Sequence, residues 1–472
     1  MSQRLTPSLP ASLSYLTSML SSLRVAGRAR DGARDASSTP RTRSIPAPDA
    51  SDGITARGRG LVLWPSIITA FILLSWCVAS APLRDMATGH LVDDAMLVRP
   101  AAYIALAPIC DVLDALTLLS VRQTLVLLAS IALIYATWRI VRRGRGGSIG
   151  RRIARETLLA LAVLGVVLVV YAVGVLVPRP MAALRLTDPD LIAVDFHSHT
   201  NASHDGRGWF TARRNREWHQ AAGFDAAYVT DHKSFAGAVA AVHANPPRAD
   251  DGTVLFSGLE YVWEHNHVNA LGVTVRDFTS PAAVARGEGP AAVADTEPQV
   301  VLIQTIPDAL QRTHAADANG RGGVLGIELS DGSPRGIEQA QRDHAALLHI
   351  ADSLNLAVVA GSDNHGWGRT AVAWSVLRIP GWRALTPQAL GAAIEQTIRA
   401  QRRHAARVIG RRSPDPGRSM YALVATLPAV TATMLVALSP AERLSWVVWV
   451  WAVAALALLM TRRGRGARMT RR

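Results

Sequence analysis

Thr157 to Val177 reads TLLALAVLGVVLVVYAVGVLV, a run of 21 residues without a charge. Crossing a bilayer's hydrocarbon core takes about 20 apolar residues of helix, and only helices and closed barrels satisfy their own backbone there. The run is therefore expected to span a membrane, and the rest of the chain must be read around it. Leu61–Leu83 (LVLWPSIITAFILLSWCVASAPL) is a further uncharged run, and Thr124–Ile140 a further apolar stretch. Tyr103–Ser120 is apolar but interrupted by Asp111 and Asp114. Inside a helix bundle such carboxylates are often functional; in an interfacial or re-entrant segment they are not. Met420–Leu438 and Leu444–Met460, joined by SPAER, read as a hairpin. The expectation is five or six spanning helices, three or four of them within 61–180 and two within 420–460.

Residues 1–60, rich in Ser, Arg, Pro and Ala, read as a disordered basic tail, and 461–472 as a second basic tail. Orientation follows from arginine, because cytoplasmic loops collect positive charge. Arginines before Met420 and after Met460 put both ends of the hairpin in the cytoplasm, while RIVRRGRGGSIGRR before Thr157 argues the reverse. A six-span count favours the cytoplasmic side of a bacterial inner membrane for the region in between.

The net charge of +14 is almost entirely arginine, since Lys233 is the only lysine. Much of it flanks the apolar runs, and no helix-turn-helix, zinc-finger or RNA-binding pattern accompanies it, so no nucleic-acid partner is indicated. Cys77 and Cys110 both lie in apolar flanks, which excludes a disulfide framework and a thiolate metal site.

Residues 188–407 differ from the flanks. Short apolar runs (LIAVDFH, DAAYVTDH, TVLFSGLEY, HVNALGV, GGVLGIELS, LAVVAGSDNH) alternate with helical stretches. That alternation predicts an α/β domain with a largely parallel sheet, in which sites assemble at the C-terminal ends of strands. Five strand ends carry metal-ligand chemistry: His197 and His199; Asp231 and His232; Glu260; His265 and His267; Asp363 and His365. A lone SDNH or TDH is ordinarily a polar loop, but recurrence at five strand ends points to a site. Mixed imidazole and carboxylate donors suit Zn, Mn or Fe, and this many donors suit two or three divalent ions.

The motifs DFHSHTNASHDG, VTDH, GLEY, a histidine before NALG, and GSDNH occur here in an order that resembles the PHP (polymerase and histidinol phosphatase) family, over roughly Asp195–Gly366. The resemblance implies a distorted (β/α)7 TIM-like barrel and a metal-dependent phosphoesterase. Carried across, His197, His199, Glu260 and Asp363 would hold one ion, and Glu260 and His267 a second. Either His204 or Asp205, with His232 and His365, would hold a third. The family's further histidine before a proline is missing. VVLIQTIPD places Gln304, Thr305 and Ile306 there, leaving substrate, water or His314 to complete that shell. Amidohydrolases also begin on an HxH strand, but Lys233 is poorly placed for their bridging lysine.

Asp231 is expected either to orient His232 or a metal-bound water, or to make a structural hydrogen bond. Arg369, with Arg207, Arg213 and Arg214, is a candidate for stabilising phosphoryl charge, although a solvated helix face is the ordinary fate of such arginines. Trp367 and Trp374 read as core or pocket wall, and His219, His243, His344 and His349 as structural. The expected function is a membrane-anchored, metal-dependent hydrolase of a phosphate mono- or diester. The competing readings are a membrane sensor with a degenerate metal site and a metal-dependent C–N hydrolase.

Overall fold

The computed structural model describes residues 50–78, 80–141, 149–264, 266–272, 275, 277–305, 313, 315–317, 319, 321–414 and 419–469. His265, Ile306, His314, most of the expected N-terminal tail and residues 470–472 lie outside the described residues. The chain divides into Met1–Arg57, described only as the start of a helix, and Gly58–Arg472, which holds everything below.

The strands are β1 (Leu83–Asp85), β2 (Ala95–Val98), β3 (Ala183–Leu186), β4 (Leu191–Ser198), β5 (Ala226–Val229), β6 (Val254–Trp263), β7 (Asn266–Leu271), β8 (Val301–Gln304), β9 (Gly326–Asp331), β10 (Ala357–Gly361), β11 (Ala373–Arg378) and β12 (Ala406–Arg411). Ten of them form one curled sheet in the order β1-β12-β11-β4-β5-β6-β7-β8-β9-β10, while β2 pairs with β3. The sheet curls until its β10 end reaches β4: the Asp363 N–H donates to the His197 carbonyl at 2.9 Å and the His199 N–H to the Asn364 carbonyl at 3.2 Å. The segment leaving β10 is thereby fastened to the end of β4. All eight residues of β4 are buried, as expected of a strand covered on both faces.

The sheet is mixed, not largely parallel. β7 runs antiparallel to both β6 and β8, and β11, β12 and β1 pair antiparallel. The link between β6 and β7 is too short for a crossover helix, so the chain turns back at Glu264, whose φ is +45°.

The helices needed here are α1 (Ala50–Leu74), α2 (Ala107–Thr117), α3 (Val121–Val141), α4 (Ile149–Leu176), α5 (Ala212–Ala222), α6 (Ala236–His243), α7 (Pro334–Ser353), α8 (Pro387–Gln401), α9 (Ala422–Val436) and α10 (Pro440–Met469). The domain helices are capped as their sequences dictate. The hydroxyls of Thr211, Ser333 and Thr386 accept from Arg214, Gly336 and Ala389 at the N-termini of α5, α7 and α8, and Gly223 closes α5 at φ +82°. Ile192, Val194 and Phe196 pack with Tyr228, Phe256, Ile303 and Val359, and Leu390, Ile394 and Ile398 of α8 complete that cluster. A second cluster seals Leu259, Leu302, Ile327 and Val358 beneath Leu347 and Ala351 of α7.

Among the described residues, three helices are long and apolar enough to cross a membrane: Val121–Val141, Ile153–Leu176 and Pro440–Met460. Val62–Val78 and Ala422–Val436 are apolar but shorter. Two expectations are corrected. Tyr103–Ser120 is no single helix: it breaks at Leu106, and Asp111 and Asp114 are buried. The stretch 61–180 is also not membrane helix alone, because β1 pairs with β12 and β2 with β3. The domain thus exceeds 188–407 at both ends.

Candidate metal centre

Local backbone irregularity aims the first ligands. Asp195 of β4 turns to α5, where His219 Nε2 lies 2.7 Å from its Oδ2, while Phe196 stacks on Tyr228. The register of β4 on β5 then shifts between Asp195 and Ser198, and such a break re-aims a side chain. His197 faces the centre: its Nε2 lies 3.0 Å from Glu260 Oε2 and 3.1 Å from His199 Nε2. His199 Nε2 lies 3.1 Å from the same Glu260 oxygen, and both imidazoles lie 3.5 Å from Asp363 Oδ1. Donor atoms about 2.1 Å from one tetrahedral ion stand roughly 3.4 Å apart, so this spacing fits a shared cation.

Glu260, three residues before the end of β6, is the hub. Its Oε2 also meets His232 Nε2 at 3.2 Å, and its Oε1 meets His267 Nδ1 at 2.5 Å. Beyond it, Asp205 Oδ2 lies 3.1 Å from His365 Nε2 and 3.7 Å from His232 Nε2. The donor set resolves into three groups: His197, His199 and Asp363; His232, Glu260 and His267; and His199, Asp205, His232 and His365. In each, the ligand atoms lie within 4.8 Å of one another. Of the two alternatives for the last group, Asp205 takes the place and His204 stays outside it, 72% exposed at its side chain.

Close packing holds this arrangement. A Cβ on Gly206 would lie 1.9 Å from the Thr200 carbonyl oxygen, so the turn that carries Asp205 requires glycine. A Cβ on Gly361 would lie 2.5 Å from Glu328 Oε1 and 2.6 Å from His197 Cβ. Asp363 adopts φ +46°, a left-handed conformation that costs of order 1 kcal/mol and is common at functional sites.

The electrostatics suit cations. Burial alone would raise the Glu260 carboxyl, but the adjoining His197, by charge and hydrogen bond, holds it well below the usual carboxylate range. Burial likewise opposes ionisation of Asp205, yet the Ser203 hydroxyl, His365 and His232 bring it down to about 2. Burial drives His232 down to about 4 against the pull of Glu260, leaving the neutral imidazole that metals bind. Among the described residues, the ion-pair partners of Asp205, Glu260 and Asp363 are imidazoles and never arginines. Converging carboxylates with no fixed cation beside them, the buried Glu260 above all, are what a divalent ion would satisfy.

Other assignments differ. Asp231 contacts neither His232 nor the cluster: its two oxygens accept from the Thr200 N–H and hydroxyl, both at 2.6 Å, which pins the loop after His199. Arg213 and Arg214 pair with Glu217 on an exposed helix face. Arg207 stacks on Trp367, and Arg369 lies 5.1 Å from the Trp209 ring with a buried, unpartnered Nε. Gln304 is buried, and Thr305 donates to the His267 carbonyl, so β8 brings no ligand among its described residues.

Sequence reasoning missed Glu328. It lies on β9, fully buried, with Oε1 3.0 Å from His197 Nδ1, the carboxylate–histidine pairing that orients metal ligands. A single acid inside the apolar run GGVLGIELS was its only signal.

No protein-family model matches the chain, and no curated protein does. Among solved structures it is similar to PsfC from Pseudomonas syringae PB-5123, at 17% identity and a TM-score of 0.32, covering 51% of this chain and 97% of that one. A two-domain protein from Bacteroides vulgatus containing a predicted PHP-like metal-dependent phosphoesterase is 18% identical, with a TM-score of 0.29, over 47% of this chain and 65% of that one. An amidohydrolase from Chromobacterium violaceum is 16% identical, with a TM-score of 0.24, over 42% of this chain and 96% of that one. Likenesses this distant carry no information about the reaction.

Proposed function

We propose that the chain is a membrane-integral, metal-dependent phosphoesterase. The observation that supports it best is the convergence of His197, His199, His232, His267 and His365 with Asp205 and Asp363 around the Glu260 carboxylate. Two or three ions of the Zn, Mn or Fe class held there would supply Lewis acidity for water and neutralise a phosphoryl group. In the reaction, the oxygen of water bonds to phosphorus, the P–O bond to the alcohol breaks, and the proton of water ends on the departing oxygen. Glu328 fixes the His197 ring so that its Nε2 faces the site. Arg207 and Arg369 stand on the loops beside it as cations for phosphoryl charge.

The test is nitrophenolate release from 4-nitrophenyl phosphate and bis-(4-nitrophenyl) phosphate by the full chain with Mn²⁺ or Zn²⁺, beside His197→Ala. Turnover that needs both metal and His197 is the expected result. Gln304 and Thr305, standing where the family's histidine is expected, favour a second reading: a sensor that binds metal without turnover. Stoichiometric metal binding with no release from either ester would establish it instead.

α3, α4 and α10 are the proposed crossing helices, and one end of each abuts the domain. The Arg122 N–H donates to Glu338 of α7, the Gly368 N–H to the Val175 carbonyl, and Glu442 pairs with Arg99. The opposite ends adjoin in sequence Arg142, Arg143, Arg145 and Arg151, and Arg462, Arg463 and Arg465. The positive-inside rule then favours the outer face for the domain, reversing the side expected from counting six spans. The reversal comes from two segments that are not counted as crossing helices, Tyr103–Ser120, which breaks at Leu106, and the shorter Ala422–Val436. In a variant lacking Cys77 and Cys110, a single cysteine replacing the exposed Arg213 of the domain is expected to react with a membrane-impermeant maleimide in intact cells, and a shielded cysteine would return the domain to the cytoplasm.

A further inference from the structure

A cavity of about 530 Å³ runs from the metal-ligand cluster to the apolar helices. Asp205, Asp363 and His365 line one end, and Thr117 of α2 with Tyr171 and Val175 of α4 line the other. Its size is that of an ordinary ligand site. The two ends are physically joined. The Gly368 N–H donates to the Val175 carbonyl at 3.1 Å, and the hydroxyls of Thr370 and Thr117 meet at 3.0 Å. The loop that carries Asp363 and His365 therefore sits on the end of α4. Tyr171 lies one turn further along that helix, roughly 6 Å, inside the apolar stretch Ile153–Leu176.

Two half-exposed tryptophans mark the same face. Trp367 lines the cavity at 42% exposure, and Trp209 is 43% exposed. Each has an arginine against its ring, Arg207 and Arg369 respectively. Indoles paired with cations are the side chains that favour the headgroup level of a bilayer, where a phosphate would meet them.

We infer that the substrate is a lipid phosphoester, with its phosphoryl group at the Glu260 cluster and its hydrocarbon passing between Trp367 and the Tyr171–Val175 turn of α4. This rests on the phosphoesterase reading above. A water-soluble ester would have no use for an apolar wall contributed by a membrane helix. A lipid entering sideways would leave its chains in the bilayer and bring only the head group to the cluster.

The experiment uses the full chain in phosphatidylcholine nanodiscs with Mn²⁺. Dihexanoylphosphatidic acid, which is soluble as a monomer, is compared with glycerol 3-phosphate, and dihexanoylphosphatidylglycerol with glycerophosphoglycerol. The nitrophenyl esters serve as reference. The expected result is a kcat/KM at least tenfold higher for one acylated ester than for its deacylated head group. Val175→Trp and Tyr171→Ala are expected to bring that ratio toward one. If either variant fails to fold, the wild-type ratio decides alone. Equal turnover of acylated and deacylated esters, or turnover of the deacylated and nitrophenyl esters only, overturns the lipid assignment and leaves the phosphoesterase standing. No turnover of any ester by the metal-loaded chain overturns the phosphoesterase, and the lipid assignment with it.

Discussion

Two clusters of charged side chains lie on either side of the Asp363–Thr370 loop, and they are built on opposite principles. At the helix–domain junction every carboxylate has a fixed donor. Asp114 lies 2.6 Å from Arg179 and 2.9 Å from Arg411, the Trp446 indole donates to Asp111, and the Tyr103 hydroxyl is 3.0 Å from both aspartates. At the strand ends, Asp205, Glu260 and Asp363 face imidazoles that can each give up their proton. A carboxylate matched by guanidinium is already neutralised and acts as an anchor. One matched by imidazole can exchange the proton for an ion. Burial alone does not separate an anchor from a ligand; the identity of the partner does.

The comparison breaks most sharply at its two hubs. Replacing His197 or Glu260 by Ala is expected to abolish metal-dependent turnover, exceeding the roughly 100-fold cost of losing a supporting group. Metal content by mass spectrometry should fall in parallel, and an active, metal-replete variant would refute the assignment. Asp114→Ala should do the reverse. Stranding Arg179 and Arg411 is expected to cost about 3 to 5 kcal/mol of stability, visible as a lower Tm, while metal stoichiometry in the surviving fold stays intact. Glu328→Gln sharpens the contrast: metal affinity should fall roughly 10- to 100-fold by titration with little change in Tm.

The smallest expected effect is at Asp225, a buried carboxylate that accepts from the Ala193 N–H at 2.8 Å. Burial pushes it up to about 6, against the pull of that hydrogen bond. Because the folded form holds its proton more tightly than the unfolded one, its contribution is complete below about pH 4 and is lost as pH rises through about 6. Asp225→Asn should therefore gain a few degrees of Tm over the parent at pH 8 and lose that advantage at pH 4. A pH-independent difference would sink this account.

The strand-end candidate ligands were legible because each motif is local. An apolar strand followed at once by His, Asp or Glu declares both the element and the end at which chemistry gathers. Asp205 could not be separated from His204, since only the turn forced by Gly206 decides which of two neighbours faces inward. Glu328 was hidden because its partner His197 lies 131 positions away and one acid in a strand resembles any other. Hydropathy misread Tyr103–Ser120 for a similar reason: the arginines that satisfy Asp114 come from Arg179 and Arg411. The antiparallel β7 was equally out of reach, because an apolar run records burial but not direction.

β1 has a consequence for how the protein is made. Arg84 pairs with Gly410, so the two partners leave the ribosome 326 residues apart. At 5 to 20 residues per second, the N-terminal strand waits roughly 16 to 65 s for its neighbour. During that interval the sheet has an open border, with the chain before β1 already committed to a helix and the last two helices not yet synthesised. The border closes only when the C-terminal part of the chain arrives, so a truncated translation product would carry an unpaired strand edge for quality-control proteases to recognise.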